Sequence, residues 1–268
     1  MKSTQKIIIT TQDSTISSQD RGLNYGDGFF TTAYISAGRV EHWALHKDRL
    51  VECATRLAFP QLDLVAIENA IMPVIHNQPE GVLKIVVTRG IGGRGYELPV
   101  EPEIWVLIAN MVVPVHYPQL RATGVHLEIS PIRLAKQPLL AGLKTLNRLE
   151  QVLIKHAMQS QDCDDVVVLD SDGFVIESSA ANIFAINQGQ VYSPVLTECG
   201  IEGVYLKSLC AKLTINFTSV TLHDLLAMDA VYTCNSLTQI VPVKSIVNKQ
   251  FNVQNSKQLL MALLAKES

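Results

Sequence analysis

No apolar run approaches the roughly 20 residues that a helix needs to cross a bilayer, so the sequence offers no membrane span. Positive charge is not in surplus either. Lys and Arg number 22 against 25 Asp and Glu, for a net charge of −3. A nucleic-acid surface needs an excess of cations to displace counterions from phosphate. Cysteine is sparse and odd in number (Cys53, Cys163, Cys199, Cys210 and Cys234), with no CxxC spacing. That argues against a disulfide framework and for free thiols in a reducing cytosol. The opening MKSTQKIIITTQDST holds only three consecutive isoleucines, too short an apolar core for a signal peptide. A cytoplasmic protein is expected. Low-complexity tracts and repeats of solenoid period are missing as well. What is present is globular material: hydrophobic residues make up 47% and charged residues 18% of 268 positions. The chain can therefore build a sizeable core, in one large domain or two modest ones.

Apolar β-branched runs predict strands at Lys6–Thr10, Val82–Thr88 and Ile104–Val113. Leu50, Cys53, Ala54 and Leu57 recur at helical spacing, and a second helix is expected over Asp63–His76, kinked or ended by Pro73. Two prolines and a loss of periodicity at Val113–Thr123 suggest a linker. The expected division is a smaller N-terminal lobe over residues 1–117, a linker at 118–123 and a larger lobe over 124–268. That larger lobe should open with a strand at Val125–Ile132 and a helix over Leu146–Gln159, burying Leu146, Leu149, Leu153 and Ala157. A strand meander follows, with Asp172-Gly173 and Gln188-Gly189 as turns that tolerate positive φ. A helix near Val204–Leu213, a strand at Ala230–Cys234 and a last helix at Val253–Ala265 complete an α+β pattern.

Several sites are excluded by what surrounds their motifs. Gly90-Ile91-Gly92-Gly93-Arg94-Gly95 matches GxGxxG after a strand, but a dinucleotide fingerprint must open a helix. Two prolines and another strand follow instead. A ligand-facing glycine hairpin carrying Arg94 is the better reading. His42 and His46 lie four apart without HExxH or a third ligand, so no metal site is expected. GxSxG does not occur, which leaves a serine hydrolase without support.

Three segments place single charges in small or apolar surroundings, where an unpaired charge is costly. The first is Asn24-Tyr25-Gly26-Asp27-Gly28-Phe29-Phe30-Thr31-Thr32, followed by His46-Lys47-Asp48-Arg49-Leu50. The second runs from Ala141 through Lys144 and Asn147-Arg148-Leu149-Glu150 to Gln151. The third is Glu177-Ser178-Ser179-Ala180-Ala181-Asn182-Ile183-Phe184. In this order they resemble the fold-type IV pyridoxal-phosphate enzymes, which include branched-chain and D-amino acid aminotransferases and a lyase branch. That family shows a GDG strand, an HxxRL helix, a lysine ahead of an Asn-containing helix, and an E-x4-N-[IVL]-F strand. The resemblance runs from about Asp20 to Pro242. It implies two α+β lobes with largely antiparallel sheets and the cofactor, pyridoxal 5'-phosphate, between them. The strings LAGLKTLNRLEQVL, RGIGGRGY, GDGFFTTA and CNSLTQIVPV look like the lyase branch. Thr31 stands where the aminotransferases usually carry an acidic residue.

The activity so implied is conversion of 4-amino-4-deoxychorismate to 4-aminobenzoate and pyruvate, on the route to folate. The alternatives are an aminotransferase for a branched-chain or D-amino acid, and a binding protein that kept only the fold. By resemblance, Lys144 is the Schiff-base and proton-moving lysine, and Glu177 is the carboxylate facing the pyridine nitrogen. Arg49 binds the phosphate together with backbone at Val204 and Tyr205 and with Asn235 and Ser236. Relatives often read Gly-Ile-Thr-Arg where this chain has Gly203-Val204-Tyr205-Leu206, so phosphate contact there should rest on backbone alone. Asn235 likewise replaces a smaller hydroxyl residue. Thr31, Arg94 and Arg148 are candidates for substrate contact, the two arginines for its carboxylates; the alternative for Arg148 is an ion pair with Glu150 or a neighbouring acid. The family pattern further implies a homodimer; composition and motifs lead to the expectation of no metal, nucleic-acid or membrane partner.

Overall fold

A computed structural model describes residues 4–11, 13–76 and 78–266. Of the N-terminal stretch read for a signal peptide, the first three residues and Gln12 lie outside this range. The chain divides into two compact units, one of residues 1–113 with Leu143–Asn147, the other of 114–142 with 148–268.

The first unit contains β1 (Thr4–Ile9), α1 (Arg21–Tyr25), β2 (Gly28–Ser36), β3 (Arg39–Val40), α2 (Trp43–Arg56), α3 (Leu64–Ile75), β4 (Glu80–Thr88) and β5 (Glu103–Met111). Its sheet runs β1-β5-β4-β2-β3, antiparallel except where β1 pairs with β5. β2 alternates as a half-buried strand should: Phe29, Thr31, Ala33 and Ile35 are buried, whereas Phe30, Thr32 and Tyr34 are partly exposed. The buried residues pack against α2 and α3 through Leu50, Cys53, Ile67 and Ile71. On α2 the buried stripe is His46, Arg49, Leu50, Cys53 and Ala54, the i, i+3, i+4, i+7 spacing of one helical face. Pro73 does not end α3; the helix continues to Ile75. So close to the C-terminus, a proline costs one hydrogen bond rather than the helix.

The second unit contains α4 (Tyr117–Thr123), β6 (Val125–Ile129), α5 (Leu149–Met158), β7 (Asp165–Leu169), β8 (Phe174–Ser178), β9 (Asn182–Asn187), β10 (Gln190–Pro194), α6 (Val204–Leu209), β11 (Ile215–Thr218), β12 (Val220–Thr221), α7 (Leu222–Ala227), β13 (Ala230–Asn235), β14 (Gln239–Ile246), β15 (Lys249–Gln250) and α8 (Val253–Lys266). Strands β9, β13, β14, β6, β7 and β8 pair in that order, and β8 returns to β9 through Glu177 and Asn182. The ring is therefore closed. Leu127 on β6 joins Val167, Val175, Ile183, Val231, Val241 and Val243 in one buried cluster. Leu206, Leu209 and Leu260 pack on Phe184, Ile186 and Tyr232.

Three expectations differ from the structure. Residues 118–123, expected as a linker, belong to α4. Pro118 falls in its first turn, where a missing N–H costs nothing, and Gly124 ends it. The helix expected from Leu146 begins at Leu149. Its expected apolar face is also corrected, because Leu149 and Leu153 are exposed and Ile154 is the buried contact with Val166 and Val168. Finally, Leu143–Asn147 groups with the first unit rather than with the larger lobe that surrounds it in sequence.

Candidate active site

Within the first unit, Lys144 lies on a short segment pinned to the start of β2. Phe30 N–H donates to the Lys144 carbonyl at 2.9 Å, and Leu146 N–H donates to the Gly28 carbonyl at 3.0 Å. The Lys144 ammonium is 4.6 Å from the centroid of the Phe30 ring. These contacts fix the backbone of Lys144 and lay its side chain along the partly exposed face of β2. Arg49 is buried on α2, on the same stripe as His46. Thr31 is fully buried, with its hydroxyl 2.6 Å from His46 Nδ1 in a shared hydrogen bond. Its side chain belongs to the buried face of β2. Burial, then the charge of Arg49, then His42 hold the His46 imidazole down to a pKa of about 3.

Arg94 is exposed on the glycine hairpin. Beneath that hairpin, the nearly enclosed Arg21 pairs with Asp27 at 2.8 Å. Its terminal nitrogens donate to the carbonyls of Gly92, Gly95 and Glu97 at 3.0–3.1 Å and of Tyr96 at 3.4 Å. Asp27 also receives Arg89 Nε at 2.9 and 3.1 Å, while the other end of Arg89 caps the Leu57 and Ala58 carbonyls. The aspartate of the GDG motif thus holds two buried arginines, with each charge paired and hydrogen-bonded.

In the second unit, Glu177 sits where the barrel closes. Its Oε2 accepts the Ile201 N–H at 3.0 Å, and Asn182 Nδ2 donates to the Ile201 carbonyl at 2.8 Å. One residue is therefore gripped from both sides by the closing pair of strands. The Gly200 carbonyl accepts from Gly142 N–H, and the Gly142 carbonyl accepts from Glu202 N–H, both at 3.0 Å. That anchors the chain two residues ahead of Lys144. Gly203 then opens α6 with no side-chain cap, and a Cβ at Gly203 would collide with Asn182 Oδ1. Val204 and Tyr205 form the first turn of α6, where the helix dipole favours an anion. Asn235 Oδ1 accepts from Leu237 and Thr238 N–H at 2.8 and 2.7 Å, and its Nδ2 donates to Ala180. Its side chain shapes the turn that carries Ser236. Arg148 is the N-cap residue of α5, and Glu150 Oε1 accepts the Ala135 N–H at 3.0 Å.

The family model of amino-transferase class IV matches residues 28–246. The chain belongs to this family. It is 36% identical to the aminodeoxychorismate lyase of Vibrio harveyi over 232 residues, 85% of this chain and 86% of the relative. It is 26% identical to a D-alanine aminotransferase of Bacillus licheniformis over 85% of this chain and 82% of the relative. Its fold is similar to the crystal structure of 4-amino-4-deoxychorismate lyase from Pseudomonas aeruginosa, with a TM-score of 0.87 and 34% identity over 93% of this chain and 94% of that one.

Several residues that support the motif segments were not singled out by the sequence. Arg21 and the Ile201 backbone carry no motif signal of their own. The available sign was the density of lone charges in small surroundings: Asp20, Arg21, Asp27 and Arg89. Among the described residues no cluster of three or more His, Cys, Asp or Glu could hold a metal ion, and no helix is long and apolar enough to cross a membrane.

Proposed function

We propose that this class IV chain is a pyridoxal-phosphate-dependent lyase that converts 4-amino-4-deoxychorismate to 4-aminobenzoate and pyruvate. The observation that carries the reading is its higher identity to the two lyases than to the aminotransferase, over nearly the whole of each chain. The residues fit the cofactor: the first unit has a lysine fixed by its backbone and a buried arginine, and the second has a buried carboxylate held by the Ile201 N–H.

Pyridoxal phosphate supplies an electron sink for charge developed at the carbon bearing the substrate amine. Lys144 Nζ holds the cofactor and moves protons, taking the one at C4 and returning one to the departing enolpyruvyl group as pyruvate forms. Glu177, kept in place by the Ile201 N–H, holds a proton on the pyridine nitrogen. Arg49 and the N–H groups of Val204 and Tyr205 bind the phosphate, with Ser236 beside them on a turn that Asn235 shapes. Arg94 and Arg148 bind the two substrate carboxylates. Exposed Leu149 and Val152, three residues apart on α5, support a homodimer, which light scattering checks. Free cysteines among the described residues support a cytoplasmic location.

The test is product formation by the purified chain and by Lys144→Ala. The wild type should release 4-aminobenzoate and pyruvate in equal amounts with no 2-oxo acid added, and the variant should release none. If D-alanine or a branched-chain amino acid with 2-oxoglutarate reacted at the higher kcat/KM, an aminotransferase would replace the lyase.

A further inference from the structure

We propose that Arg21 is a positioning residue for substrate binding: its enclosed guanidinium holds the Gly90–Glu97 hairpin in the one shape that offers Arg94 to a substrate carboxylate. This rests on the lyase reading for the identity of the carboxylate. The hold on the hairpin stands on the first unit alone.

The hairpin has little else to fix it. Gly90, Gly92, Gly93 and Gly95 all take positive φ, and from Ile91 to Val100 nearly every residue is exposed. A loop so rich in glycine loses much entropy when ordered. Arg21 offsets that loss by drawing four carbonyls of the loop, those of Gly92, Gly95, Tyr96 and Glu97, onto one planar fork. Its Nε is spent on Asp27, which sets the direction of the fork. The base of the loop is laced to the same segment: Arg21 N–H donates to the Gly90 carbonyl at 2.8 Å, and Thr88 Oγ1 donates to Asp20 at 2.7 Å. At the far side the Tyr96 ring meets Tyr25 edge-on at 5.4 Å, and Tyr25 in turn lies under the Arg21 guanidinium. Arg94 stands at the exposed tip of this arrangement. The turn is tight enough that a Cβ on Gly93 would collide with the Glu97 carbonyl.

A lysine at position 21 can keep the pair with Asp27 but cannot reach four carbonyls in a plane. Asp27 stays neutralised by Arg89 in any case, so Arg21→Lys should fold. We would measure four proteins: wild type, Arg21→Lys, Arg94→Ala and the double variant. Both single variants should raise the KM for aminodeoxychorismate roughly tenfold or more, the equivalent of a lost charge-assisted contact, while kcat and pyridoxal-phosphate affinity stay within about twofold. The double variant should be no worse than Arg94→Ala, because a holder has nothing left to hold. Trypsin should cut after Arg94 faster in Arg21→Lys than in wild type. Gly93→Ala, which keeps both Arg21 and Asp27 in the chain but drives a Cβ into the Glu97 carbonyl and against the Arg21 guanidinium, should reproduce the KM effect and the faster cleavage if Arg21→Lys does not fold.

Additive effects in the double variant, a loss confined to kcat or to cofactor affinity, or unchanged cleavage after Arg94 would each overturn the proposal. A wild-type chain that made no 4-aminobenzoate would instead sink the lyase reading. The cleavage rates would then still decide whether Arg21 holds the hairpin.

Discussion

His46 shows how one enclosed side chain registers acidity. Its imidazole shares a hydrogen bond with Thr31, and its Nε2 is buried with no partner among the described residues. In the folded chain it stays neutral down to about pH 3, chiefly because burial penalises the charged ring. Once unfolded it takes a proton near its ordinary value of 6.5. Between those limits the unfolded state binds the extra proton, so stability falls as pH drops. Urea unfolding at pH 7, 5.5 and 4.5 should show wild type losing about 1.4 kcal/mol per pH unit more than His46→Gln below pH 6. Equal slopes would mean that the ring is charged in the fold. None of this was legible in the sequence, which shows His46 as part of HxxRL and as a histidine four residues after His42. Lys144, Glu177 and Arg49 are singled out by the resemblance of the short segments that carry them to a family pattern. The partners of Arg21 could not, because they are backbone carbonyls 71 to 76 residues away, and a carbonyl has no letter.

Among the elements, α6 and the barrel closure depend on one another. Gly203 must lie against Asn182, and Asn182 with Glu177 grips the backbone of Ile201. Gly203→Ala should push Asn182 off the Ile201 carbonyl and free the Glu177 carboxylate to move. We expect cofactor affinity to fall by about 1–3 kcal/mol, the cost of leaving a buried polar group unpaired, as read by equilibrium titration with pyridoxal phosphate. An unchanged dissociation constant would show that the start of α6 does not shape the phosphate site. β4, expected over Val82–Thr88, could be read closely from sequence, whereas for α2 only the spacing of Leu50, Cys53 and Ala54 was legible. The β9–β10 hairpin was legible too, since Gln188 and Gly189 both take the positive φ expected of them. α4 was not, because seven residues starting beside a proline give no period to count. The face of α5 was misread for another reason: its leucines outnumber its one buried isoleucine, and count is not orientation.

At the scale of the whole molecule, Leu143–Asn147 is the feature that a linear division misses. Leu143 is buried in the first unit's cluster with Phe29 and Leu50, although the residues on either side of the segment belong to the second unit. Leu143→Ala should therefore destabilise the fold by about 2–5 kcal/mol, measured by thermal or urea unfolding. A cost under about 1 kcal/mol would show that the segment is only laid against the first unit.

That placement also sets a timetable during synthesis. The ribosome finishes the first 113 residues of the N-terminal unit and then makes residues 114–142 before the piece that completes it. At about 5–20 residues per second the nascent unit waits a few seconds with the start of β2 uncovered. The piece that covers it is the one carrying Lys144, so the first unit and the backbone of that lysine are completed in the same step of synthesis.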